Sequence, residues 1–282
     1  LFFLHGARLS RDTVMAGITH WRLHLLVFAS TFILFPSLGM LIGLWLPRLL
    51  TPTLYTGILF LCVLPSTVQS SIAFTSIARG NVPAAICSAS ASNIVGIFLT
   101  PLLVGVLLSG KRGVGFSFSE VETILLQLLL PFIAGQICYR WLSGWLGKHK
   151  SLTSIVDRGS ILMVVYLAFS NAVVGGLWHQ LPLGAIGMLV LVDMAILAIV
   201  LAATLIASRV MGFAKEDEIT IVFCGSKKSL ASGIPMANAI FAGQNIGAVV
   251  LPLMIFHQIQ LLVCAVVARR YAERQKAQAT AV

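Results

Sequence analysis

The sequence predicts an all-α polytopic membrane protein of inverted-repeat architecture, in which two broken helices cross near the middle of the bilayer. Three observations predict it. Of the 282 residues, 58% are hydrophobic and 10% charged, with a mean hydropathy of +0.98, far from the composition of a soluble domain. The apolar runs last about twenty residues or longer, which suits helices crossing about 30 Å of hydrocarbon and excludes the ten-residue alternation of a membrane barrel. Two of the runs are interrupted midway by proline, glycine and polar residues.

Along the chain, the apolar runs predict helices at roughly 20–46, 52–78, 82–108, 120–146, 158–178, 183–209, 217–242 and 246–269, which makes eight complete spans. Ahead of them, Leu1-Phe2-Phe3-Leu4-His5-Gly6 reads as the end of a span cut off upstream. It has neither the charged start nor the cleavage site of a signal peptide.

The first break is Leu64-Pro65-Ser66-Thr67-Val68-Gln69-Ser70-Ser71, and the second runs from Cys224 to Pro235 through Gly225-Ser226-Lys227-Lys228-Ser229 and Gly233. Proline removes a helical donor and glycine relaxes the backbone, so both segments expose peptide groups that lipid cannot satisfy. Such backbone survives where it faces protein or a water-filled cavity. Two interrupted spans in matching positions point to a secondary transporter built of two inverted five-span repeats, with two spans lacking at the N-terminus of this chain.

Basic residues are retained on the cytoplasmic side of short loops. Of the 19 lysines and arginines, Arg48, Lys111 and Arg112 fall on one side, Lys227 and Lys228 fall inside a span, and all others fall on the opposite side. That pattern puts the C-terminus in the cytoplasm, with a bacterial inner membrane as the expected location. It also accounts for the net charge of +10 by topology, so no nucleic-acid partner is expected.

Lys227 and Lys228 are the main candidates for function. A charge at that depth costs roughly 2.5 to 3.5 kcal/mol even on the lenient insertion scale, and persists where something compensates it. Nine residues from the cytoplasmic end, snorkelling along a straight helix is too long a reach. Asp193, in Leu191-Val192-Asp193-Met194, is the acidic residue within an apolar span and the expected counter-ion. Such a pair is expected to hold and release a proton as the helices move. The positive ends of the half-helices and the lysines together suit an anionic substrate.

Other polar residues in the spans divide between packing and cavity lining. His257, with Gln258 and Gln260, faces the second break from the last span, either as a histidine satisfied by backbone or as a site residue titrating near neutrality. Ser92 and Asn93 serve as interhelical glue or as cavity lining, with Gly96 favouring close packing. His20 and His24 are read as part of the interfacial belt beside Trp21 and not as metal ligands. Cys62, Cys87, Cys138, Cys224 and Cys264 show no paired spacing and read as small hydrophobes. Gly105–Lys111 matches the start of a phosphate-binding loop by chance, since Arg112 stands where Ser or Thr is required. No hydrolase triad, zinc motif or second intramembrane acid is present in order, so an enzyme is not expected.

Five segments carry a family resemblance: Phe3-Leu4-His5-Gly6, Ala78-Arg79-Gly80-Asn81, Gly96-Ile97-Phe98-Leu99-Thr100-Pro101-Leu102-Leu103, Phe223-Cys224-Gly225-Ser226-Lys227-Lys228-Ser229-Leu230 and Gly233-Ile234-Pro235-Met236. In these the chain resembles the bile acid:sodium symporter (solute carrier 10) family, most closely its divergent branch with the seventh human member and bacterial homologues. The resemblance implies ten spans, in a panel domain and a core domain where the broken helices cross. On that plan residues 1–18 end a truncated panel helix and 19–108 are core helices of the first repeat. Residues 118–178 are then panel, 183–270 core, and 271–282 a cytoplasmic tail.

Where the sodium-coupled members keep a glutamate and a glutamine on the second broken helix, this sequence has Phe223-Cys224 and Lys227. Where they keep a glutamine before the proline of the first core helix, it has Thr31, five before Pro36. The two sodium sites lose their carboxylate, and a lysine ammonium is expected in one of them. The remaining candidate sodium ligands are Ser71, Ser88, Ser92 and Asn93. Substrate and ion contacts are expected from these with Thr31, Gln69, Ser70, Asp193, Ser226, Lys227, Lys228, Ser229, His257 and Gln260. The implied function is secondary active transport of an amphipathic organic anion without an organic cofactor, coupled to sodium or to protons. The alternative is a membrane regulator of transporter fold, linked to calcium homeostasis or secretion.

Overall fold

Proline and a single π-turn set the course of the first span. The computed structural model describes residues 3, 20–45, 50–108, 118–174, 176, 183–241 and 246–280, and among these every regular element is helical. Helix α1 (Trp21–Ala29) passes through a π-turn at Ser30–Leu34 into α2 (Phe35–Trp45). In that turn the Phe35 N–H bonds to Ser30 O, and Pro36 has no N–H. Thr31 O is thereby left without a helical donor.

Helix α3 (Pro52–Val63) starts on Thr51, whose hydroxyl accepts from Leu54 N at 3.3 Å. It ends at Leu64, held extended at ψ 154° ahead of Pro65 because the proline ring disfavours helical backbone in the residue before it. The chain turns 61° and resumes as α4 (Val68–Ile77). Arg79 then takes a left-handed φ of 58° and leads into α5 (Val82–Leu108). There follow α6 (Phe118–Lys148), α7 (Lys150–Val174), α8 (Leu183–Val210), α9 (Lys215–Gly225), α10 (Leu230–Ile240) and α11 (Ile246–Thr280).

Among the described residues, Trp21–Leu44, Val82–Leu108, Leu183–Val210 and Ile246–Ala277 are long and apolar enough to cross a membrane, and α3 with α4 makes a bent fifth span. The second broken span, α9 and α10, contains the two lysines and the acidic turn Glu216-Asp217-Glu218, so apolarity alone does not mark it. Two boundaries differ from expectation. The loop expected over 147–157 is helical, with α6 and α7 separated by His149 alone; that ring stacks on Trp145 at 4.5 Å. The last helix runs to Thr280 and not to 269, through an Ala-, Glu-, Arg- and Gln-rich sequence of high helix propensity. Expectations for residues 1–2, 4–19, 46–49, 109–117, 175, 177–182, 242–245 and 281–282, Arg48, Lys111 and Arg112 included, lie outside the described residues.

The core forms where α3 lies along α11, which also packs on α8 and α10. Gly57 permits the α3–α11 approach, since a Cβ there would collide with the Val249 carbonyl. Edge-on rings lock the layers: Phe60 on Phe241 with centroids 5.3 Å apart, and Phe35 on Phe256 at 6.0 Å. Each such pair contributes about 1 kcal/mol beyond burial. Leu44, Val106, Ile206 and Leu262 point outward, as lipid-facing positions do in helices that keep their polar groups inside.

Candidate functional site at the crossing of the broken helices

Each break leaves carbonyls without helical donors, and the other break supplies side chains to meet them. Ser66 Oγ donates to Cys224 O at 2.6 Å, Thr67 Oγ1 to Lys228 O at 2.7 Å and Ser71 Oγ to Phe223 O at 3.2 Å. In return Ser229 N donates to Pro65 O at 2.9 Å. Neighbouring helices complete the set: Ser30 Oγ donates to Gly225 O, and Thr100 Oγ1 to Val63 O, each at 2.8 Å. A buried carbonyl without a donor costs about 1 to 3 kcal/mol, so these partners are what let the backbone break inside the membrane.

Helix α5 braces the first break from behind. Ser92 Oγ accepts from Ser66 N at 3.0 Å, and Asn93 Nδ2 donates to Ser66 O at 2.7 Å. Asn93 Oδ1 accepts from Ser232 Oγ at 2.6 Å, which links α5 to α10. Gly96 faces Pro65, where a Cβ would lie 2.7 Å from the proline Cβ. Ser229 caps α10 by accepting from Ser232 N at 3.1 Å.

The two lysines are both buried but differ in what they touch. Lys228 Nζ donates to Thr31 O and Cys62 O at 2.8 Å and to Leu64 O at 2.7 Å, and lies 4.1 Å from the centre of the Phe35 ring. An ammonium has three N–H donors, and here all three are matched by carbonyls that lack helical donors. Lys227 Nζ donates to Ser70 O at 2.8 Å and sits 3.9 Å above the Phe74 ring. Among the described residues it has no second acceptor.

The main chain of Lys228 is gripped from α11. Gln260 Oε1 accepts from Lys228 N at 2.9 Å, and Gln260 Nε2 donates to Lys228 O at 3.0 Å. A backbone N–H only donates, so the orientation of the amide is fixed. The same Nε2 lies 2.8 Å from His257 Nδ1, which must then accept, leaving the ring proton on Nε2.

Several predicted site residues have other roles than expected. Asp193 is fully buried, and among the described residues neither carboxyl oxygen has a hydrogen-bond partner. The expectation that it pairs with a lysine is therefore corrected: Lys228 has all its donors on carbonyls, and Lys227 is held by Ser70 and Phe74. The Thr31 hydroxyl turns back to Val27 O at 2.8 Å, so its carbonyl, not its side chain, belongs to the site. Ser88 is bonded to His24 at 2.6 Å. The four proposed sodium ligands thus divide, with Ser92 and Asn93 meeting on Ser66 while Ser71 and Ser88 turn elsewhere. Gln69 is exposed on the first turn of α4, Ser70 Oγ is buried without a partner among the described residues, and Ser226 lies beside the Cys264 thiol.

Sequence reasoning missed Ser30, Ser66, Thr67, Thr100 and Ser232 as closing groups, although Ser66 and Thr67 stand in the first break. It also missed Phe74, four residues after Ser70, whose helical spacing from that carbonyl is the one available signal. A further group lies at the end of the second broken span facing away from the crossing. Glu218, 4% exposed, accepts from Lys215 at 2.5 Å, Arg209 at 3.1 Å and Tyr271 at 2.9 Å. Asn81 ties the turn after α4 to α9, donating from N to Glu216 O at 3.0 Å and from Nδ2 to Asp217 Oδ1 at 2.8 Å.

Comparison with known proteins gives one family and a consistent set of relatives. The profile of the SBF-like CPA transporter family matches residues 1–273. Protein PA2026 of Pseudomonas aeruginosa is 59% identical over 282 residues, covering 100% of this chain and 85% of that protein. The Escherichia coli protein YfeH, named as a candidate symporter, is 57% identical over 271 residues, or 96% of this chain and 81% of its own length. The sodium/bile acid cotransporter 7 of Mus musculus is 28% identical over 274 residues, or 94% and 79%.

Proposed function

Since the chain belongs to the SBF-like CPA transporter family, we propose that it moves a small organic anion across the membrane by secondary active transport, with Lys227 meeting the anion's charge. The supporting observation is the inequality of the two ammonium groups. Lys228 is saturated by three carbonyls, whereas Lys227 has one carbonyl and two aromatic faces, Phe74 at 3.9 Å and Phe223 at 5.4 Å, and keeps donors for an incoming carboxylate or sulfonate. Among the described residues neither lysine has a carboxylate within salt-bridge distance, so the crossing is net positive.

The chemistry of the donors argues for proton coupling or movement of the lysine ammonium over sodium coupling. Ser71, Ser92 and Asn93 are engaged in closing the breaks, Ser88 is engaged with His24, and sodium benefits from an anionic ligand that this crossing lacks. The distribution of basic residues supports a cytoplasmic C-terminus in a bacterial inner membrane. No chemical conversion of the substrate enters this reading, and its partners are the anion and the lipid bilayer.

The test is uptake of a panel of labelled amphipathic anions, taurocholate included, by purified full-length protein in vesicles under a sodium gradient, a choline control and an imposed pH gradient. Saturable uptake that falls about tenfold or more in Lys227→Gln is expected, as for loss of one charge-assisted contact. Absence of saturable uptake for the whole panel, or uptake unchanged in Lys227→Gln, overturns the proposal.

A further inference from the structure

Thr31 O, Cys62 O and Leu64 O come from two separate elements, the π-turn and the end of α3, yet all converge on one nitrogen at 2.7 to 2.8 Å. Each lacks a helical donor for its own reason. The amide that should serve Thr31 O is taken by Ser30 O, and the next residue in line is Pro36. The amide that should serve Cys62 O, that of Ser66, donates instead to Ser92 Oγ. Leu64 O lies past the end of α3, in extended backbone ahead of Pro65.

The three oxygens therefore owe their arrangement to the turn, the prolines and α5. They do not owe it to the lysine that fills them. The Phe35 ring closes a further side at 4.1 Å, presenting an electron-rich face to a cation. Oxygen-only coordination by helix-end carbonyls, with no carboxylate, is the chemistry by which proteins replace the hydration shell of a monovalent cation.

We propose that this cradle is a monovalent-cation site of ammonium or potassium size, occupied here by the tethered ammonium of Lys228. The inference stands on the geometry of the cradle and is independent of the transport reading. The spacing matches N–H···O hydrogen bonds, so ammonium and methylammonium fit it best. Sodium, smaller and more strongly hydrated, fits less well, and tetramethylammonium has no N–H and is too large. Removing the lysine beyond Cβ opens the channel its methylenes occupy and leaves the three carbonyls in place for a free cation.

The experiment is the thermal stability of the detergent-purified full-length protein in choline, sodium, potassium, ammonium, methylammonium and tetramethylammonium chloride at equal ionic strength. Wild type, Lys228→Ala and Lys228→Gln are compared, with Lys228→Ala purified in ammonium throughout. Wild type is expected to be indifferent to the cation. Lys228→Ala is expected to gain about 5 °C or more in Tm, saturably, with ammonium or methylammonium over choline and tetramethylammonium. Lys228→Gln, whose amide reaches into the cradle, is expected to respond to none. Equal Tm for Lys228→Ala in every salt overturns the proposal, as does an equal response in Lys228→Gln. Aggregation of Lys228→Ala even in ammonium, with Lys228→Gln monodisperse, overturns it as well.

Discussion

The side-chain amide of Gln260 holds the main chain of Lys228 from both sides, accepting from its N–H at 2.9 Å and donating to its carbonyl at 3.0 Å. This arrangement gives both main-chain groups of Lys228 a partner from one side chain on α11, where the second broken helix is interrupted. It also joins Lys228 to His257 through the shared Nε2. Gln260 is fully buried, so none of these bonds can be exchanged for water without opening the crossing.

Gln260→Leu leaves Lys228 N without a partner, while Lys228 O keeps Thr67. One orphaned buried amide costs about 1 to 3 kcal/mol, and a loss of several degrees in Tm is expected in detergent. A Tm within about 1 °C of wild type would show that water reaches the break.

The contact between Gly96 and Pro65 predicts a steric phenotype. A methyl at Gly96 would sit 2.7 Å from Pro65 Cβ, where backbone on both sides limits relaxation, so Gly96→Ala is expected to cost about 1 to 3 kcal/mol. Gly187, where a Cβ meets nothing within 4 Å, is the matched control. Gly187→Ala is expected to leave Tm unchanged or slightly raised, because alanine favours helix over glycine.

Glu218 and Asp193 are both buried acids, and opposite outcomes are expected from neutralising them. Glu218→Ala removes the acceptor shared by Lys215, Arg209 and Tyr271 and, by leaving the buried Tyr271 hydroxyl without its acceptor, is expected to destabilise by about 1 to 3 kcal/mol. Arg209→Ala, whose side chain is 55% exposed, should cost under about 1 kcal/mol. Asp193→Asn alters a carboxyl with no hydrogen-bond partner among the described residues, so stability is expected to hold or rise. A fall of several degrees in Asp193→Asn would reveal a donor or cation at that carboxyl, and thermal unfolding of the three variants side by side decides the matter.

Pro36→Ala tests why Thr31 O is available to Lys228. The restored N–H can donate within the π-turn to Thr31 O, competing with the ammonium. The protein is expected to fold, and Lys228 to react faster than in wild type with a small amine-directed reagent, as followed by peptide mass analysis. Unchanged reactivity would mean that the other two carbonyls and Phe35 hold the ammonium on their own.

The chemical alphabet of the chain determined the membrane class, most helix limits and both breaks. A run of twenty apolar residues has one stable solution in lipid, and proline with glycine in such a run removes donors wherever it is folded. It determined too that Lys227 and Lys228 needed compensation, because an unpaired charge at that depth is untenable. What the sequence could not carry was the identity of the compensating groups. Lys228 is solvated by main-chain carbonyls of residues about 160 to 200 positions away, and every residue type has a carbonyl, so no side-chain pattern announces them. Asp193 looked like the counter-ion because it is the acid in an apolar span. Only the tertiary structure, by bringing the π-turn and the end of α3 onto one nitrogen, decided that the lysine's three donors go to carbonyls and that none of them reaches the aspartate.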